Sequence, residues 1–218
     1  NESALALQVS GAVRTHLRLN FQDIKQFQSH ELQVLLECAG NSRSSVTPAV
    51  DGLMWDHGGV STAQWTGVPV RKVLELAGIL QDAEEVLFEG MDRGTVDGKS
   101  GKTGFAMSLP MDKALHPDTL LAYQMNGALL SPDHGYPLRV IVPGWYGMTS
   151  VKWLTRIQVL RKPYKGYHQG DYYVYIKAGD AFDSPKKRVS PMEVKSLISS
   201  PRHGESLILG QHVVKGVA

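Results

Sequence analysis

Cysteine is nearly missing from this sequence: there is one in 218 residues. That excludes an internal disulfide, a cysteine-rich zinc site, an iron–sulfur cluster and a C-x-x-C-H haem attachment. No apolar run approaches the roughly 18 residues that a membrane-spanning helix needs. Charge of either sign is in short supply. Twenty-three Lys and Arg stand against 21 Asp and Glu, a formal net charge of +2. Such a balance gives the chain as a whole no pull toward nucleic acid or an anionic membrane surface, so basic residues matter here only where they cluster. Repeats and low-complexity tracts are also lacking. The first stretch, "NESALALQVSG", has neither the basic region nor the long apolar core of a targeting peptide. What is present is an ordinary globular composition, 42% hydrophobic and 20% charged, with length enough for one large domain or a domain and part of another.

The hydrophobic pattern predicts a mixture of strands and short helices. "ALALQVSG" and "HLRLN" read as short strands joined by a turn, and "FQDIKQF" as a short helix capped by Asn20. "ELQVLLEC" (31–38) is a long apolar strand ending at Cys38. "GVPVRKVLELAG" is the clearest helix: Pro69 opens it, Val70, Val73, Leu74 and Ala77 recur at helical spacing, and Gly78 ends it. "EEVLFEG", "LLAYQMNG" and "YPLRVIVPG" are strand-like, and "VKWLTRIQVL" passes from a loop into a strand. Four glycine-containing polar connections, 39–68, 90–105, 126–137 and 143–150, are longer than packing requires, and such loops carry function. "AGDAFDSPKKRVSP" reads as a linker. "MEVKSLIS" and "ESLILGQHVVKGVA" follow as two strands, too few for a stable domain.

Three stretches hold residues suited to chemistry. In "LLECAGNSRS" (35–44), Cys38 ends a strand where a buried small hydrophobe would serve equally well. The turn after it argues for more. Gly40 permits close backbone approach, Asn41 tolerates a left-handed conformation, and Arg43 would set a positive charge beside the sulfur. A thiolate there could ligate a metal or attack a substrate. In "DHGYPLRVIVPG" (133–144), His134 and Arg139 flank a turn into an apolar strand. Lys152 follows in "SVKWL", after Gly144 and Gly147. A solvated turn explains each residue alone; together they suit a phosphate. "GYHQGDYYVY" (166–175) offers Tyr167, Tyr172, Tyr173 and Tyr175 as hydroxyl donors, with nothing in the pattern to choose among them.

Taken in order, "LLECAGNSR", "GLMWDHGGVSTAQWTGVPVRKVLELAG", "LLAYQMNGALLSPDHGYPLRVIVPGWYGMTSVKWLTRIQVL" and "HQGDYY" resemble the molybdenum-cofactor domain of the sulfite oxidase family. The resemblance runs from about residue 5 to 180. The tail "SPMEVKSLISSPRHGESLILGQHVVKGVA" is similar to the opening of that family's immunoglobulin-like dimerisation domain. The resemblance implies an α+β fold, a mixed β-sheet domain with short helices over residues 1–182, then a linker and the start of a β-sandwich over 183–218. It implies Cys38 as the protein's thiolate ligand to molybdenum, with one molybdopterin dithiolene as the metal's other sulfur donor. Arg43, Trp55 and Tyr172 match the family's substrate pocket, and His134, Arg139 and Lys152 match positions that hold the pterin and its phosphate. The implied reaction is oxygen-atom transfer to sulfite, giving sulfate. With no haem motif in this chain, electrons would leave to an external acceptor such as a c-type cytochrome.

The resemblance further implies a homodimer built through the remainder of the dimerisation domain, and a periplasmic location. Three departures stand against the family pattern. No Arg-Asn-His motif precedes Leu5, most of the dimerisation domain is missing, and Ser42 replaces a residue that is Arg or similar elsewhere. Assimilatory nitrate reductase, which shares the Cys-Ala-Gly-Asn motif, and a sulfane dehydrogenase molybdenum subunit are the neighbouring activities. A non-catalytic cofactor-binding fragment is the alternative of a different class.

Overall fold

The computed structural model describes residues 6–96, 101–176, 179 and 184–217. In chain order the strands are β1 (Leu7–Gly11), β2 (Leu17–Leu19), β3 (His30–Glu37), β4 (Val60–Pro69), β5 (Glu85–Thr95), β6 (Lys102–Pro110) and β7 (Leu120–Met125). They continue as β8 (Ala128–Leu129), β9 (Arg139–Ile141), β10 (Leu154–Leu160), β11 (Val174–Tyr175), β12 (Lys187–Arg188), β13 (Leu197–Ser200) and β14 (Lys215–Val217). The helices are short: α1 (Phe21–Lys25), α2 (Val70–Ala77) and α3 (Met111–Ala114).

Two five-stranded sheets make the body. One has the order β2-β1-β10-β5-β6, and the other runs β3-β4-β7-β8 with β9 also paired to β7. β1 and β10 pair in parallel while their neighbours are antiparallel, so the first sheet is mixed. This bears out the expected α+β class with short helices.

The core follows from period-2 alternation. In β7, Leu121 and Tyr123 join the main cluster with Val9, Ile157, Phe88 and the buried face of α2, while Leu120 and Ala122 pack in a smaller cluster with Trp65 and Ile141. Both faces of β7 are therefore covered, which is why "LLAY" is continuously apolar rather than alternating. In α2 the four residues at helical spacing are all buried, and Gly78 closes the helix at φ 71°. Asn20 caps α1 through a reciprocal pair of bonds with Asp23, 3.0 and 2.8 Å.

Three expectations need correction. The 90–105 connection is mostly strand: β5 and β6 form a long hairpin that pairs Arg93–Gly104 through Thr95–Lys102, while residues 97–100 lie outside the described residues. The 39–68 connection ends at Val60, where β4 begins. In both, glycine and polar residues occupy exposed strand positions, which a polarity count reads as loop. The 178–191 stretch is expected to be a linker. Within it Lys187–Arg188 form β12, which pairs with β11, and Ser190 and Pro191 contact the 145–146 segment, while 178, 180–183 and with them the expected boundary at 182 lie outside the described residues. The two expected C-terminal strands exist only as short β13 and β14, paired antiparallel.

Candidate functional site

The strand β3 carries its pattern up to Glu37 and delivers Cys38 at the edge of a cavity of about 550 Å³. That volume suits an organic ligand of moderate size. The cavity is lined by Cys38, Arg139, Lys152, Trp153, Met148 and Tyr173 among others. The thiol is exposed and receives the Gly40 N–H at 3.4 Å. It is therefore a sulfur held by a turn and open to a partner, not a core residue.

The turn after Cys38 extends the β3–β4 ladder. Cys38 N–H donates to the Gly59 carbonyl (2.8 Å), Ser42 N–H to Asp56 (2.9 Å) and Ser44 N–H to Trp55 (3.1 Å). The left-handed residue is Ser42, φ 68°, and not Asn41 as the sequence suggested. Asn41 instead spends its side chain on two bonds. Its Oδ1 accepts from Gly59 N–H at 2.9 Å and its Nδ2 donates to Glu37 Oε1 at 3.0 Å. These ties hold Asn41 in place and shift the turn's positive φ one residue on.

Arg43 and Trp55 come together over Gly40. A Cβ at Gly40 would stand 3.0 Å from Arg43 Nη2 and 3.4 Å from Trp55 Cδ1. Gly52, at φ +118°, lets the far side of the loop close on the same guanidinium, where a Cβ would sit 2.2 Å from Nη1. Arg43 Nη1 donates to the Leu53 carbonyl at 3.1 Å. No described carboxylate lies within ion-pair distance of Arg43, so its charge is not neutralised.

Arg139 is the cavity's most constrained cation. It is only 6% exposed. Nη1 and Nη2 donate to the carbonyls of His134 and Ser150, each at 3.0 Å, and the guanidinium lies 4.8 Å from the Trp65 ring. Its Nε is buried without an acceptor, and no described acid pairs with it. Burial pushes the guanidinium down to about 10, so it stays charged at neutral pH. Lys152 donates to the Asp133 carbonyl at 2.9 Å and lies 4.2 Å from the Trp153 ring, whose indole donates to Pro132. Gly135, at φ +99°, brings the 132–134 turn against these cations, for a Cβ there would stand 2.9 Å from Lys152 Cβ.

Two anticipated residues sit differently from expectation. His134 is exposed, with its Nδ1 2.7 Å from Ser131 Oγ. It contributes its carbonyl to Arg139, and the cavity wall takes Asp133 instead. Tyr172 is 61% exposed, whereas its neighbour Tyr173 lines the cavity with the two rings 4.9 Å apart. Burial first, then Tyr172 and Cys38, push the Tyr173 hydroxyl up in pKa, against a lowering pull from Arg43. Tyr173 therefore keeps its proton and can donate a hydrogen bond. One turn of π-helix, His168–Tyr172, sets that pair. It is anchored by buried Gln169, whose side chain bonds Ser108 N–H and Oγ at 2.7 Å each, and Ser108 in turn donates to Glu85.

Sequence reasoning missed Glu85, Ser108 and Gln169, whose pairings span 23 and 61 residues and leave no local signal. It also missed Lys195, whose Nζ reaches Glu37 Oε1 at 2.5 Å.

The donor set tests what the cavity fits. Among the described residues no three His, Cys, Asp or Glu cluster as metal ligands. A metal here would have to bring its own ligands and use Cys38 alone from the protein. An orphaned buried Nε and two unpaired cations fit an anionic organic group carrying that metal. An exposed thiol beside buried and part-buried cations suits a metal carried by an anionic organic cofactor.

The known proteins agree. The family described as oxidoreductase molybdopterin binding domain matches residues 1–168, and the chain belongs to it. Sulfite oxidase of Gallus gallus is 39% identical over 99% of this chain and 49% of that protein. Nitrate reductase [NADH] 1 of Arabidopsis thaliana is 34% identical over 95% of this chain and 24% of that protein. Among solved structures, the sulfane dehydrogenase SoxCD of Paracoccus pantotrophus superposes with TM-score 0.77 at 26% identity, covering 92% of this chain and 49% of that one. The chain thus spans less than half the length of each of these relatives.

Proposed function

We propose that this chain carries the molybdenum site of an enzyme that oxidises sulfite to sulfate. The observation that carries the reading is the exposed Cys38 thiol on a cavity whose buried guanidinium has no acid partner. Cys38 would hold the molybdenum, and Arg139 and Lys152 the pterin and its phosphate, with His134 contributing through its carbonyl. When bound, the cofactor supplies a two-electron redox couple and the site of oxygen-atom transfer. The balance is sulfite plus water to sulfate, two protons and two electrons.

The chain's own residues then have separate tasks. Arg43, unpaired and beside the Cys38 turn, draws in the small anion and offsets its desolvation. Trp55 sits with Arg43 over Gly40, next to the turn that carries Cys38 but outside the residues that line the cavity, and would close that side over a bound anion. A protonated hydroxyl from the Tyr172–Tyr173 pair donates a hydrogen bond to the bound anion, and Tyr173 lines the wall. The Gly40 N–H donates to Cys38 Sγ and helps hold the sulfur at the cavity edge, where it can meet a metal. Electrons would leave one at a time to an external acceptor such as a c-type cytochrome. Residues after 183 would begin an immunoglobulin-like dimerisation domain following a catalytic domain over 1–182, and the enzyme would work in the periplasm. Sulfite is favoured over nitrate by the higher identity to sulfite oxidase.

Arg43→Gln provides the test, in the complete cofactor-loaded protein. Gln keeps a donor of similar length and removes the charge. Losing a charged partner of an anion costs about 2–4 kcal/mol, or about 30- to 1,000-fold in kcat/KM. The loss should appear chiefly in KM for sulfite, and the variant should lose much of the wild type's salt dependence. A KM and salt dependence like wild type, with a lower melting temperature, would make Arg43 a loop brace. Failure of the wild type to oxidise sulfite would overturn the substrate.

A further inference from the structure

The residue directly before Cys38 is an acid. Glu37 is only 8% exposed, in the wall of a cavity that Arg139 and Lys152 line along with Asp92 and Asp133, and it is the acid next to the sulfur. A lone carboxylate there would repel both an anionic cofactor and an anionic substrate. It is answered from far along the chain. Lys195 Nζ pairs with Glu37 Oε1 at 2.5 Å and donates to the Asn41 carbonyl at 3.2 Å. The lysine therefore touches both ends of the turn that carries Cys38, whose middle is closed by the Asn41 N–H bond to the Cys38 carbonyl, 2.9 Å.

The segment that brings Lys195 is itself seated on the cavity wall. Tyr146 N–H donates to Ser190, Met192 N–H to Gly144 at 2.9 Å, and Trp145 bridges Pro191. Glu193 N–H meets the Tyr146 hydroxyl at 3.4 Å, and the Lys195 ammonium lies 5.7 Å from the Tyr146 ring. The 143–150 loop that these contacts fix also supplies Gly147, Met148 and Ser150 to the cavity. A segment beyond the catalytic sheets thus reaches back to the turn that carries the sulfur.

The geometry points to Lys195 as a positioning residue of the metal-holding turn: its ammonium neutralises Glu37 and ties Glu37 to Asn41 across Cys38. This rests on Cys38 as the metal-holding residue. The site is then completed by residues 190–195, and its local charge depends on them.

The single cysteine makes the test specific, since every thiol label reports on Cys38. The full chain purified without cofactor is alkylated at fixed pH with anionic iodoacetate and with neutral iodoacetamide. The ratio of the two rates reads the charge near the sulfur and cancels differences in thiolate fraction and access. Lys195→Met should lower the ratio about two- to fivefold, as expected for loss of one nearby partly screened charge. Lys195→Arg should keep it near wild type, Glu37→Gln should raise it, and joining Lys195→Met to Glu37→Gln should bring it back.

A lysine that only braces the segment would change both rates by one factor, and that result overturns the proposal. So does an unchanged ratio in Glu37→Gln, a check that stands even where Lys195→Met does not fold. The labelling uses neither sulfite nor metal. A protein that fails to oxidise sulfite leaves this inference standing, and a flat ratio leaves the proposed activity untouched.

Discussion

Replacing Cys38 by Ser is expected to abolish turnover while leaving the fold intact. The sulfur is exposed, and among the described residues its hydrogen-bond partner is the Gly40 N–H at 3.4 Å. No packed volume is lost, and a hydroxyl can accept the same bond. The melting temperature should move by no more than a few degrees. The chemistry changes far more. A serine hydroxyl is a hard donor that stays protonated near neutral pH, and it replaces the one soft donor the protein offers a metal. Turnover should fall on the order of a thousandfold or more, which is about 4 kcal/mol of barrier. Steady-state oxidation of sulfite by the loaded variant decides the matter, alongside a thermal melt. Near-normal turnover would remove Cys38 from the metal.

Arg139→Ala should strip the protein of cofactor. The guanidinium is buried, and its neighbours are two carbonyls and an indole face with no acid. Burying such a charge without an anion is unfavourable, and an anionic group at the orphaned Nε would relieve it. A charge-assisted bond of this kind contributes about 1.5–3 kcal/mol, which is roughly 10- to 150-fold in affinity. Molybdenum and pterin content after purification should drop accordingly. The cofactor-free chain should lose far less, because the same substitution removes an uncompensated buried charge while it frees the carbonyls of His134 and Ser150. Loaded and cofactor-free melting temperatures that fall equally would mark Arg139 as structural. An undiminished metal and pterin content would remove it from the cofactor site.

Both expectations depend on where cation and sulfur sit relative to each other, and the chain reveals that only in part. The strand into Cys38, the α2 helix between Pro69 and Gly78 and the capped α1 were all legible, because each is written in neighbours a few residues apart. The β5–β6 hairpin was not, since its outer half is polar and glycine-bearing. Strand pairing there is decided by the partner strand and not by local hydrophobicity. The same limit explains Tyr172 and Tyr173. Two adjacent tyrosines look alike in sequence, and Gln169, bonded to Ser108 across 61 residues, sets which ring faces the cavity.

By itself the sequence determined the α+β class, the absence of an internal disulfide, a lone cysteine poised at a strand end, and the motifs that mark the molybdopterin-binding family. Those follow from local spacing, side-chain chemistry and recognisable runs of residues. The tertiary structure decided which charges are free and which are answered. It left Arg139 without an acid, exposed the His134 ring, put Tyr173 on the wall, and brought Lys195 to Glu37 from 158 residues away. The physical reason is that electrostatic balance falls off with distance through space. Separation along the chain places no bound on it, so the pairing that sets a site's charge exists only once the sheets have folded together.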